Sequence, residues 1–426
     1  MKKANIFLIF IFLVSVFLFA ACSNDEGNDA DGEITIASWA AAADSMEESA
    51  EKFMKENPGT KINVRRVGHD YQSIIPPLTS GTGAPDIVHI EQRDFQTFLR
   101  NFEGQFKDLS EEIGDKKDEF ASIAWEAVEK DGGIYGVPWD IGPAAVWYRS
   151  DYYEEANIDV ESIKTWDDFI EAGKQLQEEL DDVSMVAFDT VGSDPNPSTW
   201  MILMNQLGGE YTDEEGNINF SNEANIRAMD MVKEFKEQGI VAHSGNWDEL
   251  VQAVSTGKTA SVILPVWFAG TISGQADGQA GLWNVMPLPA FDEGGAQQAN
   301  LGGGVLAVTE GSKNPELALE FLQFALLTDE GQDIQMKYGL FPSWQPYYES
   351  EGFQVEDEYF GFKLADFFGS VATEIPTLKF GPYYMDFHNE LLNAYGDVMN
   401  DNATTEKAFE DAEKRSHSAT GLNISE

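Results

Sequence analysis

From residue 33 onward, apolar and polar positions fall into short blocks whose period switches between that of a strand and that of a helix. Glu33-Ile34-Thr35-Ile36-Ala37-Ser38-Trp39 alternates as a strand. Ser45-Met46-Glu47-Glu48 has the form of a capping box, and the helix it predicts carries Met46, Ala50, Phe53 and Met54 on one face. Asn57-Pro58-Gly59 stops that helix. Lys61 to Val64 predicts a second strand, Tyr71 to Ser80 a helix, and Pro85 to Ile90 a third strand. Strands and helices that alternate through short connections imply a parallel sheet with helices on its faces.

A second α/β block follows. Gly132 to Pro138 reads as a hairpin feeding an extended segment, Ala144 to Tyr148. Thr165-Trp166-Asp167-Asp168 opens a helix to about Leu180, and Val183 to Phe188 is a strand. Helices are predicted near 198–207, 222–238 and 247–256, with a strand from Thr259 to Leu264. Gly302-Gly303-Gly304 precedes a strand, Val305 to Thr309, and Asn314 to Leu327 is a helix with Leu317, Phe321 and Phe324 inward. Beyond Pro346 the pattern is mainly helical. About 400 residues exceed what one core usually holds, so two lobes are expected.

The first 32 residues have a different pattern. Lys2 and Lys3 lead a run from Ile6 to Ala21 that is apolar except for Ser15. That run of 16 residues is shorter than the ~20 needed to cross a bilayer as a helix. It reads as a secretory signal peptide over residues 1–21. Phe19-Ala20-Ala21-Cys22 resembles the lipobox of bacterial lipoproteins, although Phe19 stands where that motif usually has Leu. The resemblance implies a diacylglycerol on Cys22, and the polar, acidic residues 22–32 then form a flexible tether. The alternative is an ordinary cleaved signal with a chance cysteine. The expected location is the extracellular face of the cytoplasmic membrane.

With 74 acidic against 27 basic side chains, the chain carries a formal net charge of −47. A nucleic-acid partner is excluded, because phosphate binding needs a positive footprint. The acids are spread along the length and read as a solvated surface suited to a saline or alkaline exterior. Cys22 is the sole cysteine, so no intramolecular disulfide forms. Catalytic motifs fail in context. Gly302-x-Gly304-x-x-Ala307 precedes a strand, whereas a dinucleotide fingerprint follows one. Gly257-Lys258-Thr259 lacks the leading glycine of a phosphate loop, which would fall at Gln252. His69, His89, His243, His388 and His417 have no metal-ligand spacing. Asp25 to Glu33 misses the first and last ligands of a calcium loop, and Gly-x-Ser-x-Gly is absent. No metal and no cofactor are expected. A carboxylate pair at glycosidase spacing cannot be picked out, because among so many acids some pair will always qualify.

Seven segments in order resemble the family 1 extracellular solute-binding proteins of bacterial ABC importers, especially those for sugars. They are Ile34 to Trp39; Ala50 to Phe53 with Asn57-Pro58-Gly59; Ser80 to Val88; Tyr135 to Asp140 running on to Trp147-Tyr148-Arg149; Thr165 to Phe169; Gly257 through Trp267; and Gly302-Gly303-Gly304 with Lys313 to Ala318. The resemblance implies a two-lobed periplasmic-binding-protein-like α/β fold of type II, with discontinuous lobes that close like a hinge. Lobe 1 would comprise 33–142 and 291–343, and lobe 2 143–290 and 344–426. The hinge would lie near Gly142-Pro143-Ala144 and between Leu288 and Gly302. Asp86, an acid at the start of a buried strand, reads as a backbone cap and not as a ligand contact.

A sugar presents C–H faces and a rim of hydroxyls, so its site needs aromatic planes and a few buried polar groups. Ligands bind beyond the carboxyl ends of parallel strands. Trp39 and Asp44 flank the end of the first strand; Trp39 is either core or cleft, and Asp44 is either a contact or a helix cap. Glu91, Gln92, Arg93 and Asp94 follow the third strand, where the family loop meets ligand. Trp139 and Asp140 pair a plane with an acceptor at the hinge, against the alternative of a buried hinge tryptophan. By resemblance, Trp267 stacks on a sugar ring, Asn196 and Trp200 lie at a helix N-terminus that meets ligand, and Tyr383 and Tyr384 occupy another stacking region or the core. Gly303 and Gly304 let backbone amides approach a hydroxyl. The expected function is capture of a neutral carbohydrate, a short oligosaccharide, by a monomer that delivers it to an ABC permease without covalent chemistry. The alternative is a lipid-anchored glycoside hydrolase.

Overall fold

The computed structural model describes residues 32–376 and 378–425. The signal segment, Cys22 and the tether through residue 31 lie outside the described residues. Strand β1 (Glu33–Ser38) leads into helix α1 (Ala40–Glu56), and β2 (Lys61–Arg66) and β3 (Ile87–Glu91) follow, with α2 (Gln92–Asn101) directly after β3. β1 pairs in parallel with both β2 and β3, as the alternating blocks predicted. Asp86 acts as a cap: its carboxylate accepts from the Thr35 amide at 2.8 Å and from the Ser312 hydroxyl at 2.6 Å.

The two halves are joined by long strands. β4 (Val137–Arg149) runs 13 residues and is buried at every one of them. A second block holds α3 (Trp166–Glu179), β5 (Ser184–Phe188), α4 (Ser198–Gln206), β6 (Val241–His243), α5 (Trp247–Ser255), β7 (Thr259–Pro265) and β8 (Trp283–Met286). The chain then returns through β9 (Asn300–Val308), α6 (Pro315–Leu326), α7 (Asp329–Lys337) and β10 (Phe341–Pro342), and ends in helices that include α8 (Tyr384–Met399). The main sheet runs β2-β1-β3-β9-β4-β7-β5-β6, and β8 and β10 also pair with β4. Val137 to Ile141 of β4 pair with β9, whereas Ala144 to Tyr148 pair with β7. The exchange of partners falls at Gly142-Pro143, and β9 slips register between Asn300 and Gly303.

Each half has its own core. One gathers Ile34, Ile36, Ile87, Phe95, Trp139, Val305 and Phe321. The other gathers Val146, Trp147, Trp166, Phe169, Val186, Val262 and Leu391, and it also takes in Phe341. The Thr165–Asp168 capping box forms as predicted, each side chain accepting from the other's backbone amide.

Three local expectations change. Helix α1 begins at Ala40, so Ser45 lies inside it with a buried, unpartnered hydroxyl. The run Ala40 to Ala43 has the highest helix propensity available and extends the helix past the apparent cap. The helix expected from Tyr71 spans only Ile75–Ser80, with proline in its first turn. Tyr71 stands at φ 57 and is buried, with its ring edge-on to Trp39. The three glycines belong to β9 and do not merely precede it.

Candidate functional site

The carboxyl ends of β1 and β3 carry one cluster of aromatic and polar side chains. Trp39 is half-buried and stacks on His89, with ring centroids 3.8 Å apart and planes 9° from parallel. His69 meets the Trp39 ring edge-on at 4.9 Å, and Tyr71 does so at 5.7 Å. Glu91 bonds His69 Nε2 at 2.8 Å. The Tyr71 hydroxyl donates to Asp94 at 2.8 Å and accepts the Glu91 amide at 3.0 Å. This network holds the Trp39 ring by its edges and ties the Glu91 carboxylate to His69.

Burial and pairing set the charge states. Complete burial pushes His89 down to about 3, so its imidazole is neutral and bonds Ser38 Oγ at 3.0 Å. Burial would raise Glu91, but the His69 bond and the nearby Arg93 outweigh it and hold the carboxyl low. The same hydrogen bond from Glu91 raises His69. Asp140, on the crossing strand, is pushed up to about 7 by burial and by the charge of Glu91. A Cβ on Gly304 would lie 3.0 Å from Asp140 Oδ1, and one on Gly303 would overlap Gln92 Oε1. Backbone therefore passes close over both polar groups, as the glycines implied.

A second cluster lies at the ends of β7 and β6. Trp267 is half-buried, and its indole N–H donates to the Leu301 carbonyl at 2.9 Å. Trp247, 44% exposed at the start of α5, lies 6.0 Å from it with planes 42° apart. A cavity of about 1370 Å³ runs along these two rings, with Ala41 of α1 and Lys337 to Gly339 at the end of α7 on the other side. It therefore touches both halves. Phe353 and the exposed Val355 extend its apolar lining.

Elsewhere the two halves meet directly. Arg93 Nη2 donates to Asn196 Oδ1 at 3.1 Å, and its guanidinium lies 6.0 Å from the Tyr384 ring. Arg100 bonds Asp386 at 2.7 Å and covers Tyr383 at 4.0 Å. Arg93, Asn196, Tyr383 and Tyr384 thus come together, as a junction of α2 with α8 and the 194–200 loop.

Some candidates lie elsewhere. Trp139 is 0% exposed within the first core, with its ring 4.8 Å from His89, so the buried hinge tryptophan is the observed arrangement. β4 is covered on both faces, leaving no open side for a plane. Trp200 is 3% exposed and packs between Tyr395 and Phe409. Its helix is apolar nearly all round, which is the mark of a core helix. Gln92 is buried and donates to the Ile123 carbonyl. Tyr384 is buried against Tyr211 and Phe380. Asp44 neither caps α1 nor stands free: it pairs with Arg66, which also binds Glu47. Conversely, sequence reasoning missed Trp247, His69 and Tyr71. Trp247 had a signal, since Asn246 caps a helix that follows a strand end. His69 carries no sequence signal beyond its lack of metal-ligand spacing.

A two-lobed α/β molecule with a cavity between its lobes and paired polar groups at the strand ends is built to enclose a solute. The chain belongs to the bacterial extracellular solute-binding protein family, which it matches over residues 37–332. It is the solute-binding component of an ABC importer and acts by binding, not by catalysis. Among its relatives, the arabinooligosaccharide-binding protein of Halalkalibacterium halodurans is 27% identical over 406 residues, covering 91% of this chain and 90% of that protein. The lactose-binding protein of Rhizobium radiobacter is 29% identical over 376 residues, 84% of this chain and 86% of that protein. The ABC-transporter-associated binding protein of B. animalis subsp. lactis, solved with β-1,6-galactobiose, shares the fold with a TM-score of 0.75 at 22% identity, over 92% of this chain and 99% of that one. The fold is the type II periplasmic-binding-protein-like fold expected from the motif order.

Proposed function

We propose that the cleft captures a neutral carbohydrate, a short oligosaccharide, and presents it to the membrane permease. The observation that carries this reading is the cavity itself. Trp267 and Trp247 supply adjacent aromatic planes for sugar C–H faces, within a space larger than the ~300–1,000 Å³ typical of small-molecule pockets. Neutrality of the solute is supported by the charges nearby. Arg66 faces Asp44 and Glu47, His69 faces Glu91, and Lys337 faces Glu48. Each of these cations already has a carboxylate, so an acidic sugar would find none free among them. Two relatives bear names of oligosaccharide or disaccharide binders.

In this reading the lobes are 33–142 with 291–343, and 143–290 with 344–426, turning about the crossing strands. Trp39 and Glu91 face the solute from one side and Trp267 from the other, while Asp140 stays buried behind them in β4. The protein works as a monomer tethered through a lipid on Cys22. Closure is driven by contacts that the solute makes with both lobes at once, because a ligand shifts an equilibrium only by its differential affinity. A calorimetric panel of neutral mono- to tetrasaccharides beside matched uronic-acid oligosaccharides tests the proposal. Saturable binding confined to neutral members is expected; binding confined to acidic members, or to none, would sink it.

A further inference from the structure

Trp267 touches the cavity with its ring and the crossing strands with its edge. Its Nε1 donates to Leu301 O at 2.9 Å, and a Cβ on either Gly142 or Gly302 would lie 3.1 Å from the same nitrogen. The indole edge therefore rests against the backbone of both crossing strands at the point where β4 changes partner. A side chain at Gly142 would also overlap the Leu301 carbonyl, so the strands lie too close there for any other residue.

The regular ladder fails at this crossing. β9 slips register between Asn300 and Gly303 and again before Val305, and Gly302 and Gly303 stand at φ 95 and 118. Side chains hold the gap instead. Asn300 Oδ1 accepts the Gly142 amide at 2.8 Å, its Nδ2 donates to Gly302 O at 2.8 Å, and its own amide donates to Asn205 Oδ1 at 2.6 Å. With these bonds, the Trp267 indole fixes Leu301, the residue between Asn300 and Gly302. A ring held by a solute on its face cannot tilt without stretching or breaking that bond.

We infer that Trp267 is a positioning residue that couples occupancy of the cleft to the setting of the hinge, through its indole N–H on Leu301. The inference rests on the proposed function only in taking a saccharide as the solute. The bond belongs to the arrangement in which Arg93 reaches Asn196 across the lobes. Its loss therefore favours a more open unliganded molecule, and closure then draws more on binding energy.

The test uses the full chain with Trp267→Phe, which keeps an apolar ring and deletes the donor, and with Trp267→Tyr, the same ring with a hydroxyl at its far end and no indole N–H. Small-angle X-ray scattering reads the radius of gyration without and with saturating lactose or arabinotriose, and calorimetry reads affinity. The expected result is a larger unliganded radius for both variants, with affinity reduced about fivefold, the order of one lost neutral hydrogen bond. Trp267→Ala, which also loses the ring, should bind far more weakly than either. An unliganded radius equal to that of the wild type in both variants overturns the coupling, whatever happens to affinity. If the wild type binds no saccharide, the carbohydrate reading fails, while the unliganded radii still decide the role of Trp267.

Discussion

Asp140 makes the crossing strand sensitive to pH in a direction opposite to that of most carboxylates. It is 8% exposed, between Trp139 and Ile141, which are both fully buried. Amide hydrogen bonds from Gly304 and from its own backbone pull its affinity for protons down, but burial and the charge of Glu91 push it up further, to about 7 from 3.8. The folded protein then keeps a proton that the unfolded chain releases. Stability is fully present below about pH 4, declines as pH rises, and is depressed throughout above about pH 7. At 1.36 kcal/mol per unit the whole effect is ~4 kcal/mol, and the part between pH 5 and 8 is ~3 kcal/mol.

Asp140→Asn keeps the shape and removes the titration. Urea unfolding of both proteins, followed by tryptophan fluorescence at pH 5 and 8, isolates this residue, because the other acids cancel in the difference. The groups facing Asp140 are Glu91, held low, and His89, neutral above about pH 3. Neither changes charge between pH 5 and 8. The Asn variant should gain ~3 kcal/mol on the wild type between the two pH values. A difference that stays constant with pH refutes the reasoning: it would mean that Asp140 is ionised at pH 5 and finds hydration or a partner that the burial argument leaves out.

The α2–α8 junction allows a second measurement. Arg100 and Asp386 are 26% and 38% exposed at the side chain, so a coupling of ~0.5 kcal/mol is expected from the Arg100→Ala, Asp386→Ala double-mutant cycle. It should fade in 1 M salt, and zero coupling at low salt contradicts it; Arg100→Ala should cost more than Asp386→Ala, since it also uncovers Tyr383. For the tether, Cys22→Ser should move the protein from the membrane pellet to the medium; retention in the pellet would show that a thioether lipid is not what holds it.

The alternating fold was legible because its signals are local. Ile34, Ile36, Ile87 and Ile90 are fully buried in β1 and β3, and Thr165 with Asp168 announces α3 within four residues. The misreadings occur where tertiary structure overrides a local rule. Ser45-Met46-Glu47-Glu48 satisfies the capping pattern yet sits a turn inside α1, because nothing in it records that the chain turns at Trp39. Three consecutive glycines argue against a strand. They form one here because β9 is bonded on both sides and must pass close over Gln92 and Asp140.

At the site, legibility follows the same division. Trp267 came from the resemblance alone, whereas the rule that ligands gather at the carboxyl ends of strands pointed to Trp39 and Glu91 without needing partners. It could not separate a ring that faces the cleft from one that faces a core, since Trp139 and Trp267 both follow apolar strand residues. What separates them is the coverage of each strand: β4 is buried on both faces, while Trp267 stands past the end of β7, where the sheet no longer covers it. Pairing across the lobes was equally hidden. Arg93 and Asn196 are 103 residues apart, and only the crossing of β4 with β9 brings them together. The hinge therefore has two tasks in one short stretch of chain: it sets which polar groups meet at the junction and supplies the carbonyl that holds Trp267. In the proposed coupling, a binding ring and a moving joint that share one hydrogen bond need no long pathway between them.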